Sequence, residues 1–203
     1  QGDRVWTSPL SFVASANCAR YCGAEIDFVD IDLDTRNISI AALEEKLKDA
    51  EINNALPKLL VVVHFAGLPC DMAAIGRLKE RYGFYVVEDA AHALGSYSQG
   101  LPVGANVHSE FTAFSFHPVK NITTAEGGAL SCSNSELAEK ARLYSHQGVE
   151  RRKECWLHNA DSARYYEQQD LGYNYRMSGL HAALGVSQLK KLNAFRDARA
   201  TCV

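Results

Sequence analysis

An α/β layered domain with a mostly parallel sheet is the fold this chain predicts, and three observations carry that reading. Short apolar runs alternate with stretches of helical period along the 203 residues. Runs such as Val61-Val62-Val63 are apolar on both sides of the pleat, as in a strand covered on both faces. Glycines fall where helices should stop, at Gly23 and Gly83.

The elements follow in order. Phe12 to Tyr21 is the first helix candidate, and Ile26 to Val29 the first strand. Ser39 offers an N-cap to a helix over Ile40 to Ala50, with Leu43 and Leu47 one turn apart on its apolar face. Strand Leu59 to Phe65, helix Met72 to Tyr82 and strand Phe84 to Glu88 come next. Strands Phe111 to Phe116 and Gly128 to Cys132 bracket a loop, and Ser135 to His146 has helical spacing. The polar stretch from Arg151 to Asp170 carries Arg151-Arg152-Lys153 and Tyr165-Tyr166 and reads as a long surface excursion. Such loops in compact domains are often functional, and a plain solvated loop accounts for it as well. Met177 to Ala200 places Leu180, Leu184, Leu189 and Leu192 among charges and predicts one long helix leaving the domain.

The length and a hydrophobic content of 47% suit one well-buried domain. A formal net charge of -3 gives no basic field, so nucleic acid is not an expected partner. No apolar run reaches the roughly 18 residues of a membrane span, and no charged and apolar leader opens the chain. Neither membrane association nor secretion is expected. The six cysteines, Cys18, Cys22, Cys70, Cys132, Cys155 and Cys202, form no Cys-x-x-Cys pair and complete no zinc spacing with the seven histidines. They read as free thiols of a reducing compartment, with the cytoplasm as the expected location and no metal site.

Chemistry concentrates in two places. Lys120 lies within Ser115-Phe116-His117-Pro118-Val119-Lys120-Asn121-Ile122-Thr123-Thr124-Ala125-Glu126-Gly127-Gly128, a loop between two apolar strands. Asp89 ends the apolar run of Val86-Val87-Glu88-Asp89-Ala90-Ala91-His92. Singly, each has an ordinary explanation, a solvated lysine and a capping aspartate. Together they are what pyridoxal phosphate requires: an amine for a Schiff base and a carboxylate to keep the pyridine nitrogen protonated.

Both motifs, with Ser8 to Asn17, Val63-His64-Phe65-Ala66-Gly67-Leu68-Pro69-Cys70-Asp71-Met72 and Leu171-Gly172-Tyr173-Asn174-Tyr175-Arg176-Met177-Ser178, resemble the DegT/DnrJ/StrS family of sugar aminotransferases. The resemblance covers nearly the whole chain and implies the large, three-layer domain of the type I aspartate-aminotransferase fold. It implies catalytic roles for Lys120 and Asp89, and cofactor contacts from His92 to the phenolic oxygen, Ser115 to the phosphate and Phe12 to the ring face. Asn174 resembles the asparagine that reaches the phosphate of a neighbouring subunit, which implies a homodimer with composite active sites. The implied partners are a nucleotide-linked keto-sugar and an amino-acid donor, glutamate. Within the family, the motifs around His64 and Lys120 look most like the branch that aminates C4 of a UDP-linked 4-keto-6-deoxy-N-acetylhexosamine for pseudaminic acid. The aminoarabinose and perosamine branches stand as alternatives. The family's Gly-Thr/Ser phosphate turn and small C-terminal domain have no counterpart here. The resemblance therefore implies a fragment, with 1–176 a partial cofactor-binding domain and 177–203 a helix leading onward. A non-catalytic remnant is the remaining alternative.

Overall fold

A computed structural model describes residues 2–202. Its strands are β1 (Arg4–Thr7), β2 (Glu25–Phe28), β3 (Leu59–Val63), β4 (Tyr85–Asp89), β5 (Tyr97–Ser98), β6 (Leu101–Pro102), β7 (Phe111–Ser115), β8 (Gly128–Ser131), β9 (Val149–Glu150) and β10 (Glu167–Gln168). The α-helices are α1 (Ala14–Tyr21), α2 (Ile40–Ile52), α3 (Met72–Tyr82), α4 (Ser135–Ser145), α5 (Gly179–Leu189) and α6 (Leu192–Ala200). Six strands form the central sheet in the order β2-β1-β3-β4-β7-β8. Every neighbouring pair is parallel except β7 and β8. The carboxyl ends of β1, β3, β4 and β7 therefore emerge at one edge. Open parallel sheets bind their ligands at that edge.

Alternation along the strands sorts side chains between two faces. Trp6, Leu60, Val62 and Val86 pack against Leu43 and Leu47 of α2 and Ile75, Leu78 and Tyr82 of α3, forming the main core. Val5 and Val61 meet Ala19 of α1 and Ala24 on the other face. Leu43 and Leu47 are fully buried, so each contributes roughly 1.5–3 kcal/mol of apolar burial. The helix starts are chemically defined. Ser39 accepts from the N–H of Ala42 and Asp71 from that of Ala74. Gly83 closes α3 at φ +76°, a conformation that a Cβ would strain.

Three features depart from the expectations. The short strand β1 is not predicted: Val5-Trp6-Thr7 is too brief to show a period, yet it pairs with both β2 and β3. The expected single helix over 177–200 is two helices. Leu192 packs over Gly95, and the Arg199 guanidinium donates to the Asn121 carbonyl at 3.3 Å, so α6 lies against the domain. The break at Lys190–Lys191 has no Pro or Gly, and tertiary contact decides it. Finally, the excursion after α4 is organised: β9 and β10 pair antiparallel at its base, and Glu150 and Glu167 are buried.

Candidate active site

Asp89 is the last residue of β4 and half-buried. Its Oδ1 accepts from the Ala91 N–H at 3.1 Å and its Oδ2 from the Ser15 hydroxyl at 2.6 Å. Its neighbour Glu88 points to the opposite face and anchors the strand end. Glu88 accepts from the hydroxyls of Ser109 and Thr112 and pairs with His64 Nε2 at 2.7 Å. His64 Nδ1 accepts the Cys70 N–H, so the ring proton sits on Nε2 and is donated to Glu88. Burial opposes ionisation of Glu88, but the His64, Ser109 and Thr112 donors outweigh it and hold the carboxyl below its ordinary range.

The loop after β7 presents Lys120. Phe116 donates to the Gly127 carbonyl and accepts from Thr124 N–H, closing the loop at its base. The Lys120 N–H turns back to the His117 carbonyl at 2.9 Å. Just beyond the lysine the loop is anchored. Asn121 donates to the Leu94 carbonyl at 2.8 Å, and Ile122 is buried. A Cβ at Gly127 would collide with the Thr124 side chain, so the loop's end demands glycine.

Asp89, Lys120, His92, Ser115 and Phe12 line one cleft of about 1260 Å³. Its floor is sheet: Val5, Val61, Val63 and Val87 also line it. Burial pushes the His92 imidazole below its ordinary value and the nearby Lys120 charge adds to this, while Asp89 acts in the opposite direction. The three groups therefore share one electrostatic environment. Ser115 receives the His117 N–H at 3.4 Å, and Phe12, 75% exposed, stands at the cleft wall just before α1. Asn174 is not at this cleft. It is exposed, and bridges His146 at the end of α4. The residue that motif reading does not single out is Ser15. It lies inside a quoted motif, but only the packing of α1 on the sheet brings it to Asp89.

The donor set suits pyridoxal phosphate. An amine and a carboxylate face one cleft, and Asp89 uses only two of its roughly four acceptor sites on protein donors. Among the described residues no cluster of three or more His, Cys, Asp or Glu could hold a metal ion.

A mostly parallel α/β sheet with a lysine and an aspartate at its carboxyl edge fits the fold of pyridoxal phosphate-dependent aminotransferases. Residues 1–203 match the DegT/DnrJ/EryC1/StrS aminotransferase family, and the chain belongs to that family. It is 42% identical over 190 residues to the UDP-4-amino-4,6-dideoxy-N-acetyl-beta-L-altrosamine transaminase of Campylobacter jejuni, covering 93% of this chain and 46% of that protein. Among solved structures it resembles Helicobacter pylori PseC, an aminotransferase involved in the biosynthesis of pseudoaminic acid. The TM-score there is 0.81 at 34% identity, covering 94% of this chain and 47% of the other. The pyridoxal phosphate form of Spr1654, a putative sugar aminotransferase from Streptococcus pneumoniae, aligns with TM-score 0.76 at 27% identity, over 95% of this chain and 50% of that one. The family is pyridoxal phosphate-dependent. The chain spans about half the length of the relatives it matches.

Proposed function

We propose that this chain is the cofactor-binding part of an aminotransferase that moves an amino group from glutamate to a nucleotide-linked 4-keto-6-deoxy sugar, in cytoplasmic synthesis of cell-surface glycans. The UDP-linked N-acetylhexosamine of pseudaminic acid synthesis is the proposed acceptor. The carrying observation is the placement of Lys120 and Asp89 in one cleft at the carboxyl edge of the sheet. The similarity to a UDP-sugar transaminase and to PseC supports the acceptor class.

Bound here, pyridoxal phosphate supplies an aldehyde for amino-group exchange and an electron-accepting ring. Lys120 Nζ would hold the cofactor and would carry the proton taken from and returned to the donor Cα. Asp89 would hold the proton at the pyridine nitrogen, with His92 and Phe12, which line the same cleft, orienting and covering the ring. Ser115 would bind the phosphate, and Asn174 of a second copy would complete that subsite.

Borohydride reduction of the full-length holo protein followed by peptide mapping tests the assignment, with the label expected on Lys120. Label on another lysine would sink it. Asp89→Asn keeps the shape but loses the charge, and is expected to lower kcat more than tenfold, a barrier change above about 1.4 kcal/mol, far more than it lowers stability. Glutamate-dependent amination of the UDP-keto-sugar, followed by mass spectrometry, tests the acceptor. Amination confined to a sugar of another nucleotide would exclude it.

A further inference from the structure

The Asp89 carboxylate is gripped from two directions. The Ala91 N–H reaches Oδ1 from the turn that follows β4. Ser15, 4% exposed in the first turn of α1, reaches Oδ2 across 74 residues of sequence. A serine in this position ordinarily turns its hydroxyl to its own helix backbone. Ser15 instead gives its single hydroxyl proton to Asp89. The Ser11 hydroxyl lies 2.6 Å from the Ser15 oxygen, and because the Ser15 proton is already committed, Ser11 must be the donor there. A relay thus runs from Ser11 through Ser15 to Asp89. A hydroxyl that accepts one hydrogen bond donates a stronger one, and a bond to a carboxylate is charge-assisted.

Two donors from separate elements, one to each oxygen, fix the plane of the carboxylate. One acceptor site on each oxygen stays free for a donor from the cleft. We propose that Ser15 is a positioning residue for the aminotransferase reaction, holding Asp89 in the plane in which its carboxylate meets the pyridine nitrogen, with Ser11 strengthening that grip. This inference rests on the reading of Asp89 as the pyridine partner. A simple tether between α1 and the sheet would have a different signature, because its loss would lower the melting temperature and leave the cofactor's spectrum alone.

The test uses the full-length protein, pyridoxal phosphate as the titrant, and the variants Ser15→Ala, Ser15→Cys and Ser15→Thr. Loss of a hydrogen bond to a charged group should weaken cofactor affinity of the alanine variant about tenfold. The pH at which the bound cofactor's visible absorbance changes should shift as well. Threonine keeps the hydroxyl and should restore both quantities. Cysteine fills the space with a weak donor and should behave as alanine does, so the cysteine–threonine pair decides the matter if the alanine variant fails to fold. Wild-type affinity and absorbance in the cysteine variant, or equal losses in the threonine variant, would overturn the proposal. The wild-type borohydride experiment separates the two readings. Failure to label Lys120 there removes the proposed function, whereas a labelled wild type with an unaffected Ser15→Cys removes only the role of Ser15.

Discussion

Glu88 and Asp89 are adjacent carboxylates with opposite duties, because successive residues of β4 face opposite sides of the sheet. Glu88 satisfies His64, Ser109 and Thr112 in the interior, while Asp89 faces the cleft. Replacing Glu88 by Gln sets an amide donor among groups that all donate, which should cost about 2 kcal/mol. Glu88 is held below its ordinary 4.5 in the folded state, so its stabilisation is present above that pH and is lost as pH falls through the lower folded value. Urea midpoints of wild type and Glu88→Gln should therefore differ most near neutrality and converge as the pH is lowered below 4.5. A gap that stays constant over that range would show that the Glu88 charge does not carry the stabilisation.

The excursion between β9 and β10 is built on one carboxylate. Burial works against ionised Glu167, but the Leu157 N–H, Gln169, the His158 N–H and the Tyr165 hydroxyl together hold it down to about 2. The bonds to Leu157, His158 and Gln169 are 2.7–2.8 Å. Trp156 packs edge-on to Tyr165 beside them at 4.8 Å between ring centres. Glu167→Gln should raise hydrogen exchange at the Leu157 and His158 amides while leaving the β3 and β4 amides protected. Wild type should show the same local loosening as pH falls from 4.5 toward about 2, since the depressed carboxyl contributes above that window and not below it. Exchange that rises equally in the central sheet would assign Glu167 to global stability instead. The broken helix at Lys190–Lys191 is governed by the same scale of interaction. The leucine spacing continues through it, and the contacts of Leu192 with Gly95 and Arg199 with Asn121 hold α6 against the domain.

At the scale of the whole molecule, the position of Asn174 separates two arrangements of the site. It lies away from the cleft, exposed, held by the backbone bonds of Gln147 to Tyr173 and Tyr175 to Ser145. The proposed homodimer would deliver it to the partner's cleft. In that dimer, Lys120→Ala and Asn174→Ala act on different chains of one site. Each variant alone should be impaired, and mixed dimers should regain up to about a quarter of wild-type activity, because half the random dimers then hold one intact site. No recovery on mixing, with dimers confirmed by sedimentation, would place Asn174 outside the partner's site.

Much of the fold is legible in the order of residues. Helices α2, α3 and α4 show helical periods, with Ser39 and Gly83 legible as caps of the first two, and strands β3, β4 and β7 are runs of strand length. Lys120 and Asp89 are legible through motif order, and their meeting at one cleft follows from parallel strands ending at one edge. The sequence by itself thus determined the layered α/β class and the two side chains on which the proposed chemistry rests. Tertiary structure decided the rest. Strand β1 exists because neighbours on both sides satisfy its backbone, and the C-terminal helix breaks where packing outweighs its intrinsic continuity. Glu167 is ionised in the interior because donors from Leu157, His158, Tyr165 and Gln169 converge on it from the folded excursion. Ser15 reaches Asp89 only when α1 lies on the sheet. Hydrogen bonds across 74 residues leave no periodic trace in a sequence, since each partner is chosen by the position of the other in space.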